Sequence, residues 1–206
     1  MLVEQYKECC GVRFYRDRLE EWLAKIDVNA NRVLDLGGAS NPVNTPKRLK
    51  SFKAKEYIVF DMGTEPNKVA YILFDINEPL EQLENPEKYE SDVIFCLELF
   101  EYVWSPIEAV RNIYRLLKPG GIAYISFPSI YPVHNPVEID YLRYTRNAIE
   151  KYLSINNLRI LEVIPRVAKT GADALCEFYV RERMHPLKES EIPYHIGYLF
   201  KVGKAK

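Results

Sequence analysis

Cysteine and histidine are scarce in this 206-residue chain, and neither is spaced for chemistry. The four cysteines, Cys9, Cys10, Cys96 and Cys176, form no C-x-x-C pair, and no Cys/His spacing suits zinc. No metal ligands are therefore expected. Cys96 lies inside an apolar run and reads as a small buried hydrophobe. A reducing, cytoplasmic setting fits this cysteine usage best. No apolar run reaches the roughly 18 residues of a membrane span, and the charged N-terminus lacks the apolar stretch of a signal peptide. An excess of one charge is also missing. There are 28 basic and 29 acidic side chains, a net charge of −1, so nothing draws the whole chain to nucleic acid or to an anionic membrane. Repeats, low-complexity tracts and Gly/Ser linkers are absent as well, which leaves a single domain over 1–206 as the simplest organisation. At 48% hydrophobic residues, such a domain can bury an ordinary core.

What is present is a series of short apolar runs that stop at acids or glycines. Residues 32–36 carry Val33, Leu34 and Leu36 around one acid, Asp35, and end at Gly37-Gly38. A strand buried on both faces reads this way, and paired glycines let the backbone turn sharply against a ligand. Further runs are 56–60 ending at Asp61, 69–74 ending at Asp75, 92–97 ending at Glu98, and 121–127 entered through Lys118-Pro119-Gly120-Gly121. Helical spacing predicts a helix over 3–26, broken by Asp27 to Asn31. A second is predicted over 106–117, with Pro106 in its first turn and Pro119-Gly120 at its end. A third follows over 145–154 with Thr145 as N-cap, and a fourth over 172–184. Residues 158–164 and 194–202 read as the last strands. Strands alternating with helices imply an α/β, doubly wound, Rossmann-like and mostly parallel sheet with helices on both faces. Right-handed crossovers then place the strand carboxyl ends on one rim, together with Asp61, Asp75 and Glu98.

A nucleoside cofactor would suit that rim. A carboxylate accepting two hydrogen bonds suits a ribose diol, which points to Asp61, with Met62 beside it. Asp75-Ile76 offers an acceptor and an apolar neighbour for a base. The turn Gly37-Gly38-Ala39-Ser40-Asn41 would set backbone groups against a polar tail. A nicotinamide site needs G-x-G-x-x-G. Counting from Gly37, the third and sixth positions are Ala39 and Pro42, so that pattern fails.

The stretches Val33–Gly38, Tyr57–Asp61, Phe74-Asp75-Ile76, Asp92–Glu98, Glu101-Tyr102-Val103 and Arg115-Leu-Leu-Lys-Pro-Gly-Gly121 together resemble the class I S-adenosylmethionine-dependent methyltransferases, especially the type-11 group. Phe127-Pro128, His134 and Asp140–Thr145 resemble the same group, so the likeness covers about 30–155. It implies a seven-stranded sheet whose last strand is antiparallel, and S-adenosyl-L-methionine as cofactor. Asp35 and Gly37 would line its methionine end, Asp61 the ribose, Asp75 and Ile76 the adenine, and Leu97 and Glu98 the methionine portion. The chain departs from the family's glycine-rich turn at Ala39 and Asn41, and carries Tyr102 where histidine is usual.

Methyl transfer from a sulfonium needs no metal and no covalent intermediate, only alignment, exclusion of water and, for a hydroxyl or amine acceptor, a base. The segment 128–145 reads as an acceptor-side loop or lid, and His134, Tyr131 and Asp140 are its candidate bases. Arg143 there either binds an anionic acceptor or pairs with Asp140 or Glu138. Lys201, Lys204 and Lys206 read as a solvated tail. A small-molecule acceptor is expected, without nucleic-acid or membrane partners. A catalytically silent binding or scaffold protein is the alternative.

Overall fold

The computed structural model describes residues 12–45, 48–63, 70–130, 133, 136–167 and 195–206. The predicted helix over 172–184, the first part of the N-terminal helix and several lid residues lie outside that set. Seven strands form one sheet in the order β3-β2-β1-β4-β5-β7-β6. They are β1 Asp27–Leu36, β2 Ser51–Asp61, β3 Ala70–Leu73, β4 Ser91–Cys96, β5 Leu117–Pro128, β6 Arg159–Val167 and β7 His195–Gly203. All neighbouring pairs are parallel except those of β7, which runs antiparallel to both β5 and β6. The expected sheet and its reversed last strand are both present.

Helices cover the two faces. Helix α1 (Val12–Leu23) sets Leu19, Trp22 and Leu23 against Val33, Phe95, Tyr124 and Leu199. Its Trp22 meets the Tyr124 ring edge-on at 5.4 Å, a geometry that aromatic quadrupoles favour. On the other face, helices α2 (Pro106–Leu116) and α3 (Arg146–Ile155) bury Ala109, Val110, Ile113, Leu116, Ile149 and Leu153 against Leu34, Ile94, Ile125 and Phe200. Thr145 caps α3 as expected, its hydroxyl accepting from the Ala148 N–H at 3.3 Å.

Several strands are longer than their apolar runs, β1 and β5 among them. β1 starts at Asp27, where the sequence reads as a break. Its residues 27–30 pair only with Ser51–Ala54 of β2, because β4 joins the sheet at Val33. With one neighbouring strand the ribbon is half solvated, so polar Asn29 and Asn31 are tolerated and only Val28 is buried. β5 starts at Leu117, directly after α2, and carries Lys118-Pro119-Gly120-Gly121 as an irregularity instead of a preceding turn. The pairing jumps from Ser91–Leu117 to Val93–Ile122. Gly120 supplies the left-handed residue at φ 80°.

Lys204 corrects the expectation of a wholly solvated tail. Its ammonium donates to the carbonyls of Tyr114 and Leu117 at 3.1 and 2.8 Å, satisfying acceptors at the C-terminal end of α2 where positive charge is favoured.

A Cβ on Gly121 would sit 2.9 Å from the Lys118 carbonyl oxygen and 3.2 Å from that of Asp92, and backbone cannot move aside cheaply. Gly121→Ala is expected to cost about 1–3 kcal/mol, the range for overpacking, measured as a fall in the urea midpoint. An unchanged midpoint would show that the bulge has room to relax.

Candidate active site at the strand tips

The parallel strands end on one rim, and the turn after β1 is its centre. Gly37 adopts φ 75° and donates its N–H to the Phe60 carbonyl at 2.8 Å, which ties the turn to β2. A Cβ at Gly37 would lie 2.9 Å from Leu99 Cδ1, and one at Gly38 only 2.2 Å from Asp35 Cγ. Gly38 is therefore required by space beside the bonded Asp35 carboxyl, and Gly37 by its left-handed backbone angle. Ala39 and Asn41 lie outside the left-handed region. Among the described residues that region holds Gly37, Asn85, Glu98, Gly120 and Asn157. The departures from a glycine-rich turn thus carry no backbone strain.

Asp35 is buried beneath this turn. Its Oδ2 accepts from the Tyr57 hydroxyl at 2.5 Å and the Val43 N–H at 3.1 Å. Burial pushes its carboxyl up to about 6, while the bonds from Tyr57 and Val43 pull the other way. Asp35 therefore holds the shape of the loop, with its acceptor capacity turned toward the loop's own donors. Arg48 braces the same loop from outside, donating to the Asn41 carbonyl and to Glu20 of α1.

Asp61 stands at the tip of β2. One carboxylate oxygen accepts from Ala39 N–H at 3.1 Å and the other from Gly63 N–H at 2.8 Å. It faces the glycine turn and is partly open to solvent, with Met62 exposed beside it. Beyond β3, Asp75 accepts from the Asn77 backbone N–H and side-chain amide at 2.9 and 2.8 Å. Asn77 in turn accepts from Trp104 and Ser105 N–H, each at 2.9 Å, which fastens this tip to the start of α2. Ile76 is buried next to it.

The tip of β4 is built of charge. Leu97 is buried, and Glu98 adopts φ 53°, an unusual backbone for a side-chain-bearing residue. Four hydrogen bonds hold it there. The Ser126 hydroxyl accepts from Glu98 N–H and donates to Oε1, both at 2.7 Å, and Arg166 reaches Oε1 at 2.6 Å and Oε2 at 3.2 Å. Arg166 is completely buried near the end of β6. Sequence reading stopped β6 at residue 164 and so missed this arginine. The available signal was the Pro165-Arg166-Val167 step that follows the run to Ile164. Glu101, in the short turn Phe100–Tyr102, is buried too, and its carboxyl is pushed up to about 7.

Of the three candidate bases, His134 and Tyr131 lie outside the described residues. Asp140 has a carboxylate only 1% exposed, paired with both terminal nitrogens of Arg143, one at 2.7 Å. The ambiguity over Arg143 is thereby resolved toward an ion pair with Asp140. Among the described residues no three His, Cys, Asp or Glu side chains gather as metal ligands, and no helix is long and apolar enough to cross a membrane.

The family described as methyltransferase domain matches residues 4–162. The ubiquinone biosynthesis O-methyltransferase of Vibrio vulnificus (strain YJ016) is 33% identical over 123 residues, covering 53% of this chain and 49% of its own. The chain spans about a third to a half of the length of such curated relatives. A methyltransferase solved in complex with the Haloferax volcanii Trm112 activator superposes with a TM-score of 0.61 at 18% identity, covering 97% of this chain and 96% of that one. The N-methyltransferase NodS of Bradyrhizobium japonicum WM9, solved with S-adenosyl-L-homocysteine, gives 0.54 at 13% identity, with 98% and 87% covered.

Asp35 and Glu101 make stability fall as pH rises. Each folded-state pKa lies above its unfolded value, so the folded form holds an extra proton in the interval between them. That stabilisation is present below about pH 4 and is lost by about pH 6 for Asp35 and about pH 7 for Glu101. Asp35→Asn is expected to flatten the lower part of this slope, between about pH 4 and 6, in thermal melts taken at constant ionic strength. An identical slope in the folded variant would mean that Asp35 titrates normally.

Proposed function

The chain belongs to the class I methyltransferase family, and from that premise we propose that it transfers the methyl group of S-adenosylmethionine to a small-molecule acceptor in the cytoplasm, without a nucleic-acid or membrane partner. The observation that carries this reading is the Asp61 carboxylate set against the Gly37-Gly38-Ala39 turn. A turn with no room for a side chain beside a half-exposed carboxylate fits an adenosyl ligand. Each Asp61 oxygen that now accepts one N–H retains a lone pair for a ribose hydroxyl. Backbone groups of Gly37, Gly38 and Ala39 meet the polar amino-acid tail. Asp75 and Ile76 take the adenine edge and face, and Leu97 and Glu98 flank the methionine portion. Asp35 acts one step removed, by fixing the turn.

When bound, this cofactor brings an activated methyl on a sulfonium. The protein's part is to hold donor and acceptor in line, exclude water and accept a proton. The O-methyltransferases of ubiquinone biosynthesis among its relatives favour an oxygen acceptor. A catalytically silent scaffold gains no support from the turn, because Ala39 and Asn41 sit there unstrained.

Calorimetric titration with S-adenosylhomocysteine tests the reading. Asp61→Ala is expected to weaken binding by about 1.5–3 kcal/mol, or roughly 10- to 150-fold, the range for hydrogen bonds to a charged group. Equal affinity in a folded variant would remove Asp61 from the ribose, and no binding by the wild type would overturn the reading itself.

A further inference from the structure

Four carboxylates around the rim are already engaged. Asp61 is held by two backbone N–H groups, Asp75 by Asn77, Asp140 by Arg143, and Glu98 by Ser126 and Arg166. Glu101 differs. It is 4% exposed, and its Oε2 has no hydrogen-bond partner among the described residues. A buried acceptor left unmade costs about 1–3 kcal/mol, so a position that keeps one calls for an explanation.

The groups facing Glu101 come from every side. Glu98 lies three residues earlier at the β4 tip, Arg166 comes from β6, and Arg143 from the segment before α3. The Cys96 thiol and the Tyr144 hydroxyl also feel its charge. The main chain of 141–142 closes over it, with Tyr141 and Leu142 N–H both directed at the Glu101 carbonyl, at 2.8 and 3.3 Å. Glu101 is thus a buried carboxyl among charged neighbours, with one oxygen unmatched, beside the strand tip that flanks the proposed methionine portion.

We propose that Glu101 is the base that receives the proton of a hydroxyl or amine acceptor during methyl transfer. The role rests on the methyltransferase reading and adds to it the proton's destination. A lone pair on the acceptor oxygen forms the new bond to carbon as the carbon–sulfur bond breaks. The carbon–sulfur pair stays on sulfur, which becomes a neutral thioether. The O–H pair stays on oxygen, its proton passes to Glu101 Oε2, and water takes that proton after product leaves. Asp140, Asp61 and Glu98 suit this task less well, since their charge is already compensated by bonded partners. Burial first, and then the Glu98 charge, raise the Glu101 carboxyl to about 7, against the pull of its backbone bond, Arg143 and Arg166. A base poised near neutrality is both ionised often enough and strong enough to act.

Glu101→Gln keeps the shape and removes the base. With 3,4-dihydroxybenzoate as the probe hydroxyl acceptor, E101Q should lose at least about 100-fold in kcat with KM little changed. Its pH–rate profile should lose the wild-type inflection near neutrality, while S-adenosylhomocysteine binding stays within a few-fold. Infrared difference spectra of wild type against E101Q, which need no acceptor, should show one protonated carboxyl band vanishing around neutral pH. Unchanged kcat and pH profile in E101Q would overturn the role, as would a Glu101 already ionised at pH 5 in a wild type that binds S-adenosylhomocysteine. A wild type that fails to bind S-adenosylhomocysteine overturns the methyltransferase reading, and this role falls with it.

Discussion

The buried carboxylate of Asp35 is the point to which the β1–β2 half of the rim is fastened. It belongs to β1, takes the hydroxyl of Tyr57 from β2, and takes the Val43 N–H from the far side of the turn. One side chain thereby fixes two strands and the loop that leaves them. The cost of burying that charge is visible in its raised pKa and is offset by short, well-directed bonds from two donors. The turn then has a single path open to it. Gly38 must pass over the carboxyl at a distance no side chain tolerates, and Gly37 must turn left-handed under Leu99. Arg48 extends the same constraint outward, since it joins the Asn41 carbonyl to Glu20 and so ties the cover helix α1 to the loop it overlies.

The other half of the rim, around β4, β5 and β6, is organised differently. Two of its carboxylates are each paired with an arginine, Glu98 with Arg166 and Asp140 with Arg143, while Glu101 has no such bonded partner for its Oε2 among the described residues. Arg166 is wholly buried, so removing Glu98 would strand a cation in the core, a far larger penalty than the pair's net worth. Those pairs hold their members in place more than they stabilise the fold. A left-handed Glu98 needs such over-determination, because its backbone would relax without the bonds to Ser126 and Arg166. A nearly neutral total charge conceals this arrangement entirely.

Much of the fold was legible because the central strands are buried on both faces and so read as unbroken apolar runs. Runs at 32–36 and 56–60 lie inside β1 and β2, the run 92–97 overshoots the end of β4 by one residue, and the helical spacing of 106–117 marks α2 to within one residue. The misreadings share a cause. Residues 27–31 and 51–55 form a ribbon with one partner strand each, so nothing demands that they be apolar. Lys118-Pro119-Gly120-Gly121 carries turn chemistry, yet it sits as a bulge inside a strand, because the pairing resumes at Ile122. At the site, acids at strand tips were visible one by one from the ends of the apolar runs. What joins them was not. The Glu98–Arg166 pair spans 68 residues and depends on the register of β7 between β5 and β6, which no local pattern specifies.

The reversed last strand explains how those two halves come to share one rim. Because β7 runs antiparallel between β5 and β6, β6 runs in the same sense as β5 and delivers Arg166 to the carboxyl end of the sheet. In the pairing register Arg166 stands opposite Gly197 of β7, which in turn stands opposite Pro128 of β5. From there the Arg166 guanidinium reaches the Glu98 carboxylate at the tip of β4, which Ser126 of β5 also holds. The topology that closes the sheet is thus also what carries a positive charge to the tip of β4.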